Sequence, residues 1–292
     1  MKHQTAAQSC GIFVGLTTLD VIHHAQRNPR PNEKVTADRQ TVSAGGPAAN
    51  AAVVFAALGG RARLLTAVGD GPVAELILAD LRQQGVEVVD LAAPHTEPAV
   101  SSVVVTGNGE RSVVSRDATA QRLEGVEDLS GAFQDADVLL VDGHHPELAL
   151  AAAQAARDSS VPLVIDAGRW KPVMAELLPL GQNVICSADF RTPDSTTSIA
   201  TALSIRNYGV PHVAVTQGAG PIRWWSQTDS GEVGVPVVEA VDTLGAGDAF
   251  HGAFAWHLTQ PQNTFPKQLE AAGQVASLRC SHHGPREWLT LL

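Results

Sequence analysis

A short run in the C-terminal part of the chain combines an anion-binding turn with a carboxylate. It reads Val241-Asp242-Thr243-Leu244-Gly245-Ala246-Gly247-Asp248, and residues 249–258 after it have helical character. Residues 245–247 have minimal side chains, so their amides can point together at an anion. They do so where a helix begins, and there the free N–H groups and the helix dipole favour negative charge.

Asp248 is the candidate base of this run, because it lies in the first helical turn at the rim of the same anion hole. A carboxylate there can accept the proton of an attacking hydroxyl, while the amides stabilise a transferred phosphoryl group. Gly245, Ala246, Gly247 and Asp248 are therefore predicted to be catalytic. A glycine-rich turn followed by Asp is also simply a good helix start, so the context must decide between the two interpretations.

Composition restricts the class of protein. Of the 292 residues 44% are hydrophobic, and the formal net charge is −10 without any long run of Lys and Arg. Because nucleic-acid binding needs a basic surface for the phosphates, no nucleic-acid partner is expected. The cysteines Cys10, Cys186 and Cys280 are widely spaced and form no CxxC motif, which indicates neither a disulfide framework nor a zinc cluster.

Neither a membrane span nor a secretion signal is indicated. The first ten residues, MKHQTAAQSC, carry little positive charge and no long apolar core. No stretch approaches the roughly 18 uninterrupted apolar residues of a transmembrane helix. We expect a cytoplasmic enzyme without a membrane partner.

Short apolar strands alternate with longer Ala-rich helical segments along most of the chain. This pattern predicts an α/β fold with a mainly parallel central sheet covered on both faces. The predicted strands are 11–15, 62–68, 137–142, 161–166, 184–186 and 212–216. The predicted helices are 48–58, 72–84, 146–157, 172–178, 249–258 and 270–280.

Two segments break this alternation, at about 20–44 and 98–117. The first is polar and β-prone, and the second reads as two strands joined at Gly107-Asn108-Gly109, a strong hairpin signal. Together they predict a small β lid beside the main fold, within a single domain of residues 1–292. Ligands of open parallel sheets bind beyond the carboxyl ends of the strands, so polar residues that follow a strand are the first candidates for the site.

Three motifs in order along the chain resemble those of the ribokinase (PfkB) family of carbohydrate kinases. Residues Asp242 to Phe250 are similar to its DTxGAGD signature, and Gly45-Gly46-Pro47-Ala48-Ala49-Asn50 to its GGxxxN signature. Thr216-Gln217-Gly218-Ala219-Gly220 is similar to its TxGxxG nucleotide loop. The resemblance extends over residues 12–284 and implies a ribokinase-like three-layer α/β/α domain with a β lid.

The resemblance implies an ATP-dependent sugar kinase with Asp248 as general base and the 245–248 amides as anion hole. Asp20, Gly46 and Asn50 match the positions that bind sugar hydroxyls, for which a carboxylate and an amide are suited. ATP would be bound by Thr216, Gly218, Gly220, Thr243 and Gly273. Relatives often pair their lids between subunits, which covers sheet edges, so a homodimer is expected.

The chain departs from the family pattern where many relatives carry an NxxE motif tied to Mg²⁺. The equivalent run here is Ser187-Ala188-Asp189-Phe190. Asp189 could substitute through a water-bridged contact, since Mg²⁺ usually retains several waters; otherwise ATP itself holds the metal or activity is weak. Asp242 lies where some relatives bind a monovalent cation, so K⁺ is a further candidate cofactor.

Substrate identity has fewer signals. His144, at the strand end near Asp142, is the candidate placed nearest the sugar, and Arg116 could meet an anionic substituent. One alternative is a nucleoside or other small-alcohol kinase of the same fold, although the lid segments contain no Phe, Trp or Tyr. Another is a ligand-binding relative weakened in catalysis, against which the intact GAGD run argues.

Overall fold

The computed structural model describes residues 8–116, 118, 121–261 and 263–292. The strands are β1 (Cys10–Val14), β2 (Thr18–Ala25), β3 (Arg39–Gly45), β4 (Arg61–Thr66), β5 (Val86–Asp90), β6 (Ala99–Thr106), β7 (Arg111–Ser115), β8 (Val138–Val141), β9 (Leu163–Ala167), β10 (Asn183–Cys186), β11 (His212–Gln217), β12 (Gly220–Trp225) and β13 (Ser230–Val233). The α-helices are α1 (Pro47–Ala57), α2 (Pro72–Gln83), α3 (Pro146–Asp158), α4 (Met174–Leu177), α5 (Ser198–Asn207), α6 (Ala246–Leu258) and α7 (Phe265–Cys280).

The main sheet has nine strands in the order β13-β12-β11-β10-β9-β8-β1-β4-β5. From β11 to β5 every pairing is parallel, whereas β12 and β13 add an antiparallel edge. Successive residues of each central strand point to opposite faces, so near-continuous apolar strands must be covered on both sides. Phe13 belongs to the core cluster that includes residues of α1, α2, α6 and α7, and its neighbour Ile12 belongs to the cluster that includes residues of α3, α4 and α5. The three-layer α/β/α prediction is confirmed.

A separate four-stranded sheet forms the lid, in the order β3-β2-β6-β7. The predicted hairpin is present, since β6 and β7 pair antiparallel across the turn at residues 107–110. Asp20, at the predicted start of the lid, lies inside β2, one of the two inner strands of this sheet. The reason is that the chain crosses from the main sheet into the lid within residues 15–17, and the lid begins at Thr18, two residues before the predicted boundary. Residue 117, the predicted end of the lid, lies outside the described residues.

Helices α1 and α6 approach each other closely because of one glycine. A Cβ atom built on Gly252 would lie 2.3 Å from the Ala51 carbonyl oxygen, so no larger residue fits between the two backbones. Real Cβ atoms do not approach a carbonyl so closely, and an added methyl group would force the helices apart. This contact sets the separation of Asn50 on α1 from Asp248 on α6.

Several elements differ from the predictions. Helix α7 begins at Phe265 rather than at residue 270, and the predicted helix 172–178 contains only the turn Met174–Leu177 followed by a 3₁₀ turn that holds Pro179. Strands β5, β12 and β13 and helix α5 were not predicted. Within the described residues, no helix is long and apolar enough to cross a membrane.

Candidate active site

The turn before α6 leads directly into the helix that carries Asp248. Gly245 adopts a left-handed conformation with φ +73°, which glycine takes without strain. The Asp242 carboxylate accepts a hydrogen bond from the Leu244 amide at 2.9 Å and fixes the loop that precedes the turn. The Ala246 amide donates to the Thr243 carbonyl oxygen at 3.3 Å, so that amide is partly engaged in the turn itself. Gly247 is exposed at the helix start.

Asp248 is held by Asn50, whose side-chain amide donates a 2.8 Å hydrogen bond to Asp248 Oδ2. Burial among protein atoms, reinforced by the nearby Asp166 carboxylate, raises the pKa of the Asp248 carboxyl to about 6. Asn50, His251 and Arg111 act in the opposite direction and keep the shift from being larger. The result is a carboxylate that is ionised at neutral pH yet basic enough to take a proton.

Arg286 sets the orientation of the Asn50 amide. Its Nη1 donates to Asn50 Oδ1 at 3.3 Å, which leaves the NH₂ end of Asn50 to face Asp248. The same guanidinium pairs with Asp80 at 3.0 Å and donates to the Ala44 carbonyl oxygen at 2.7 Å. A chain of contacts therefore runs from Asp80 through Arg286 and Asn50 to Asp248.

A narrow cavity, here called the inner cavity, lies between the lid and α1. Its polar side chains are Asp20, Ser43, Asn50, Arg279 and Arg286, and Gly245 of the turn lines it too. Asp20 accepts a 2.6 Å hydrogen bond from the Thr18 hydroxyl, and burial raises the pKa of its carboxyl. The structure therefore brings together the two predicted sugar-binding side chains, Asp20 and Asn50, beside the anion-hole turn.

Gly46 starts α1 at a position where only glycine fits. Its φ is +98°, and an added Cβ would lie 2.2 Å from the Leu16 carbonyl oxygen. The neighbouring Asp142 carboxylate is buried and accepts hydrogen bonds from the amides of Leu16 and Ala48, at 3.0 and 3.2 Å. A carboxylate at this helix start stabilises the first turn, so Asp142 anchors the loop that carries Gly46.

A second and wider cleft, the outer cleft, has a volume of about 380 Å³. It contains four of the five predicted nucleotide-binding residues: Thr216, Gly218, Thr243 and Gly273. The fifth, Gly220, is not among the lining residues and instead pairs with Gln217 where β11 turns into β12. The walls are otherwise mainly apolar, with Ile222, Val235, Pro236, Val237 and Ala276, which suits a flat ring system.

Arg111 is a lid residue that reaches the outer cleft. It begins β7 and donates to the Thr243 hydroxyl at 3.2 Å, and that hydroxyl donates to the Gly109 carbonyl oxygen at 2.9 Å. The lid hairpin is thereby joined to the loop before α6. The positive charge of Arg111 at the cleft can pair with an anionic ligand.

The structure does not bring the remaining predicted residues to Asp248. His144 lines a different cavity of about 930 Å³ together with Trp170 and Lys171, and its amide donates to Asp142. Arg116 forms an exposed ion pair with Glu97 at 2.8 Å. Asp189 is exposed just beyond β10. None of these three residues lines the inner cavity or the outer cleft.

Sequence reasoning assigned no role to Arg286, Arg111 or the pair Asp166–His251. Both residues of the pair are near enough to Asp248 to influence its pKa. His251 Nε2 is 3.5 Å from Asp166 Oδ1, and His251 Nδ1 is 2.7 Å from the Gly247 carbonyl oxygen. Asp166 follows a buried strand run, which is a usable signal. The sequence neighbours of Arg286 and Arg111 are mostly polar, as at exposed positions, and no local pattern identifies either residue.

The fold places a glycine-containing helix start, with the Asp248 carboxylate in its first turn, next to two cavities. This arrangement can support phosphoryl transfer. The family model "pfkB family carbohydrate kinase" matches residues 12–290. The chain therefore belongs to the pfkB family of carbohydrate kinases, and it is a phosphotransferase that acts on a sugar or nucleoside alcohol group.

Known relatives agree with this assignment. A deoxyribokinase of Salmonella typhi is 27% identical over 268 residues, which cover 85% of each chain. The structure of an Agrobacterium tumefaciens protein assigned as a ribokinase superposes with a TM-score of 0.86 at 27% identity, covering 97% of this chain and 94% of that one. An Arabidopsis thaliana ribokinase, solved with ribose and ATP, has the same fold, with a TM-score of 0.76 at 22% identity and coverage of 96% and 94%.

Proposed function

We propose that this protein transfers the γ-phosphate of ATP to a hydroxyl group of a sugar, with Asp248 as the general base. The observation that carries the proposal is the position of the 243–248 turn between the two cavities. Gly245 lines the inner cavity, whereas Thr243, Ala246 and Gly247 line the outer cleft. A hydroxyl bound in the inner cavity and a phosphate bound in the outer cleft would therefore meet at the start of α6.

The roles of the side chains follow from their contacts. Asp20 and Asn50 would bind the sugar hydroxyls, and Asp248 would take the proton of the hydroxyl that attacks. The N-terminal amides of α6 would hold charge on the transferred group without reorganising, because the backbone already fixes them. Arg111 would close over the phosphates from the lid, and the apolar walls of the outer cleft would hold the adenine.

Mg²⁺ would accompany the nucleotide, and Asp166 is the carboxylate that fits it. Asp166 is buried at the end of β9, close enough to Asp248 to raise its pKa, whereas Asp189 is exposed. Mg²⁺ in such sites uses one or two carboxylates together with phosphate oxygens and waters. When bound, the ion would neutralise charge on the phosphates.

The inner cavity favours a sugar over a nucleoside. Its polar groups include a carboxylate, a hydroxyl and an amide, which pair with sugar hydroxyls, beside the guanidinium groups of Arg279 and Arg286. None of the four lid strands contains a Phe, Trp or Tyr on which a base could stack. Arg286 already has Asp80, Asn50 and the Ala44 carbonyl oxygen as partners. Arg279 is likewise paired, with the Asp242 carboxylate, so a neutral sugar is the class proposed.

A coupled assay of ADP release would test this function. We expect Mg-ATP turnover that depends on a neutral pentose, deoxypentose or hexose, and little turnover with nucleosides or sugar acids. ATP hydrolysis without any acceptor is the background control. Turnover with nucleosides alone would contradict the sugar assignment, and sugar and ATP binding without ADP release would favour the ligand-binding alternative.

We also expect a second copy of the chain to cover the outer face of the lid. The pairing of the lid strands places Val42, Val100 and Val114 on the same face of the lid sheet. Val114 is 78% exposed. The strands β3 and β7 are the edges of this sheet, and open edges invite pairing. Light scattering should report a dimer for the wild type and a monomer for Val114→Glu. A monomeric wild type at assay concentration would contradict the homodimer.

A further inference from the structure

The Asp242 carboxylate is buried and fully surrounded. Its side chain is 1% exposed. Oδ1 accepts the Leu244 amide at 2.9 Å, and Oδ2 accepts Arg279 Nη2 at 2.9 Å and the Gly284 amide at 3.3 Å. His24 Nε2, from lid strand β2, lies 3.6 Å from the same oxygen. Burial alone would raise the pKa of this carboxyl, but the Arg279 guanidinium holds it below its usual value.

Arg279 is bound by oxygen atoms of the kind that hold a metal cation. Besides the Asp242 carboxylate, its Nη1 donates to the carbonyl oxygen of Asp242 at 3.4 Å and to that of His282 at 2.8 Å. A carboxylate with two main-chain carbonyls is a typical ligand set for a hard cation. Here the side chain of Arg279, which is only 3% exposed, supplies the positive charge.

The predicted K⁺ site at Asp242 therefore does not fit a metal ion. An ion at that carboxylate would lie against a guanidinium with the same sign of charge, in a region from which water is excluded. Two buried like charges at hydrogen-bond distance from one carboxylate are strongly unfavourable. Asp242 instead serves as the partner of Arg279.

We propose that Arg279 is a built-in cation that positions the anion-hole turn, so that the enzyme works without K⁺. Arg279 joins the turn after α7 to the loop at Asp242, and the Val241 amide adds a bond to the Cys280 carbonyl oxygen at 2.9 Å. That loop leads through Leu244 directly into Gly245. A tethered guanidinium stays charged at every physiological pH and presents fixed donors in a plane, so the turn keeps its shape whatever salt is present.

This role of Arg279 rests on the proposed kinase function, because it concerns the turn that would bind the transferred phosphate. The first test nevertheless requires no catalysis. The melting temperature of the wild-type chain is measured in chloride salts of K⁺, Na⁺ and tetramethylammonium at matched ionic strength. We expect no stabilisation that is specific to K⁺, and the same kcat in all three salts. A K⁺-specific rise in melting temperature or in kcat of the wild type would overturn the proposal.

Three variants separate the charge from the volume of the side chain. Arg279→Ala removes the cation and leaves space, so kcat should fall at least about tenfold in tetramethylammonium and recover severalfold in K⁺. Arg279→Met removes the cation but fills the space, so kcat should fall without recovery. Arg279→Lys keeps a charge and should retain more turnover than either.

Arg223→Ala is the matched control, because Arg223 forms an exposed pair with Glu232 at 3.0 Å on the edge strand β12. It should behave as the wild type in every salt. If Arg279→Ala fails to fold in any salt, Arg279→Lys and the wild-type salt series still decide the question. Equal kcat for wild type and Arg279→Ala in tetramethylammonium would overturn the proposal. A wild type without any turnover would count against the proposed function, while the melting series would continue to test the cation.

Discussion

Replacement of Asp248 by Asn is expected to lower kcat by about 10³-fold, within the range that a positioned general base contributes. Asn has almost the same size, and its carbonyl oxygen can still accept the Asn50 amide that Asp248 accepts at 2.8 Å. What is lost is the ability to take a proton. Steady-state kinetics should show the loss in kcat, and calorimetry should show ATP binding close to that of the wild type.

The pH profile of the wild type provides an independent measurement of the same group. The pKa of the Asp248 carboxyl is raised to about 6 by burial and by Asp166. The ionised form is therefore populated only above this value, and kcat/KM should fall as the pH is lowered through about 6. Because the folded protein disfavours the ionised carboxylate, Asp248→Asn should melt no lower than the wild type at neutral pH. An unchanged kcat in Asp248→Asn, or an acid limb at the pKa of an ordinary carboxyl, would show that Asp248 is not the base.

Replacement of Arg286 by Met is expected to lower both stability and turnover. It leaves the Asp80 carboxylate, which pairs with Arg286 at 3.0 Å, without its cation in a mostly buried place. We expect a loss of about 2 kcal/mol in the free energy of unfolding, below the value for a fully buried pair because both side chains retain some contact with water. Turnover should fall about tenfold, since Asn50 loses the donor that fixes its amide beside Asp248. Denaturant melts and kcat measure the two effects.

A double variant separates the two effects of Arg286. Asp80→Asn combined with Arg286→Met removes the unpaired carboxylate, so stability should recover in part while turnover stays low. Arg223→Met, at an exposed ion pair, is the control and should change neither quantity. If Arg286→Met turned over at the wild-type rate, the orientation of Asn50 would not depend on Arg286.

The central sheet was predictable because its strands have an unambiguous pattern. The strands β1, β8, β9 and β10 are buried along their whole length. Their short apolar runs are typical of parallel strands that are covered on both faces. The edge strands β5 and β13 have mixed exposure and polar residues. Partners across the sheet stabilise them rather than local preference, and the sequence pattern therefore did not reveal them.

In the candidate site too, features that depend on neighbouring residues were predictable, whereas contacts between distant parts of the chain were not. The turn 245–248 and Gly46 were found because their backbone geometry demands small residues at fixed spacing. Arg286 was not found, because its contact with Asn50 joins residues 236 apart in the chain. No local spacing rule extends over such a separation. Asp242 was placed at a cation site, but its buried partner Arg279 could be identified only from the folded contacts.

The close contact of Gly252 with Ala51 has a consequence for how the chain acquires activity. Asn50 and Asp248 are separated by 198 residues, and their hydrogen bond forms only after α1 and α6 have docked. Such distant pairings form late in folding, because the entropy of closing the intervening chain must be overcome first. A refolding chain would regain much of its helical and strand signal before it regains any catalysis. Activity is therefore a measure of the completed fold in this protein.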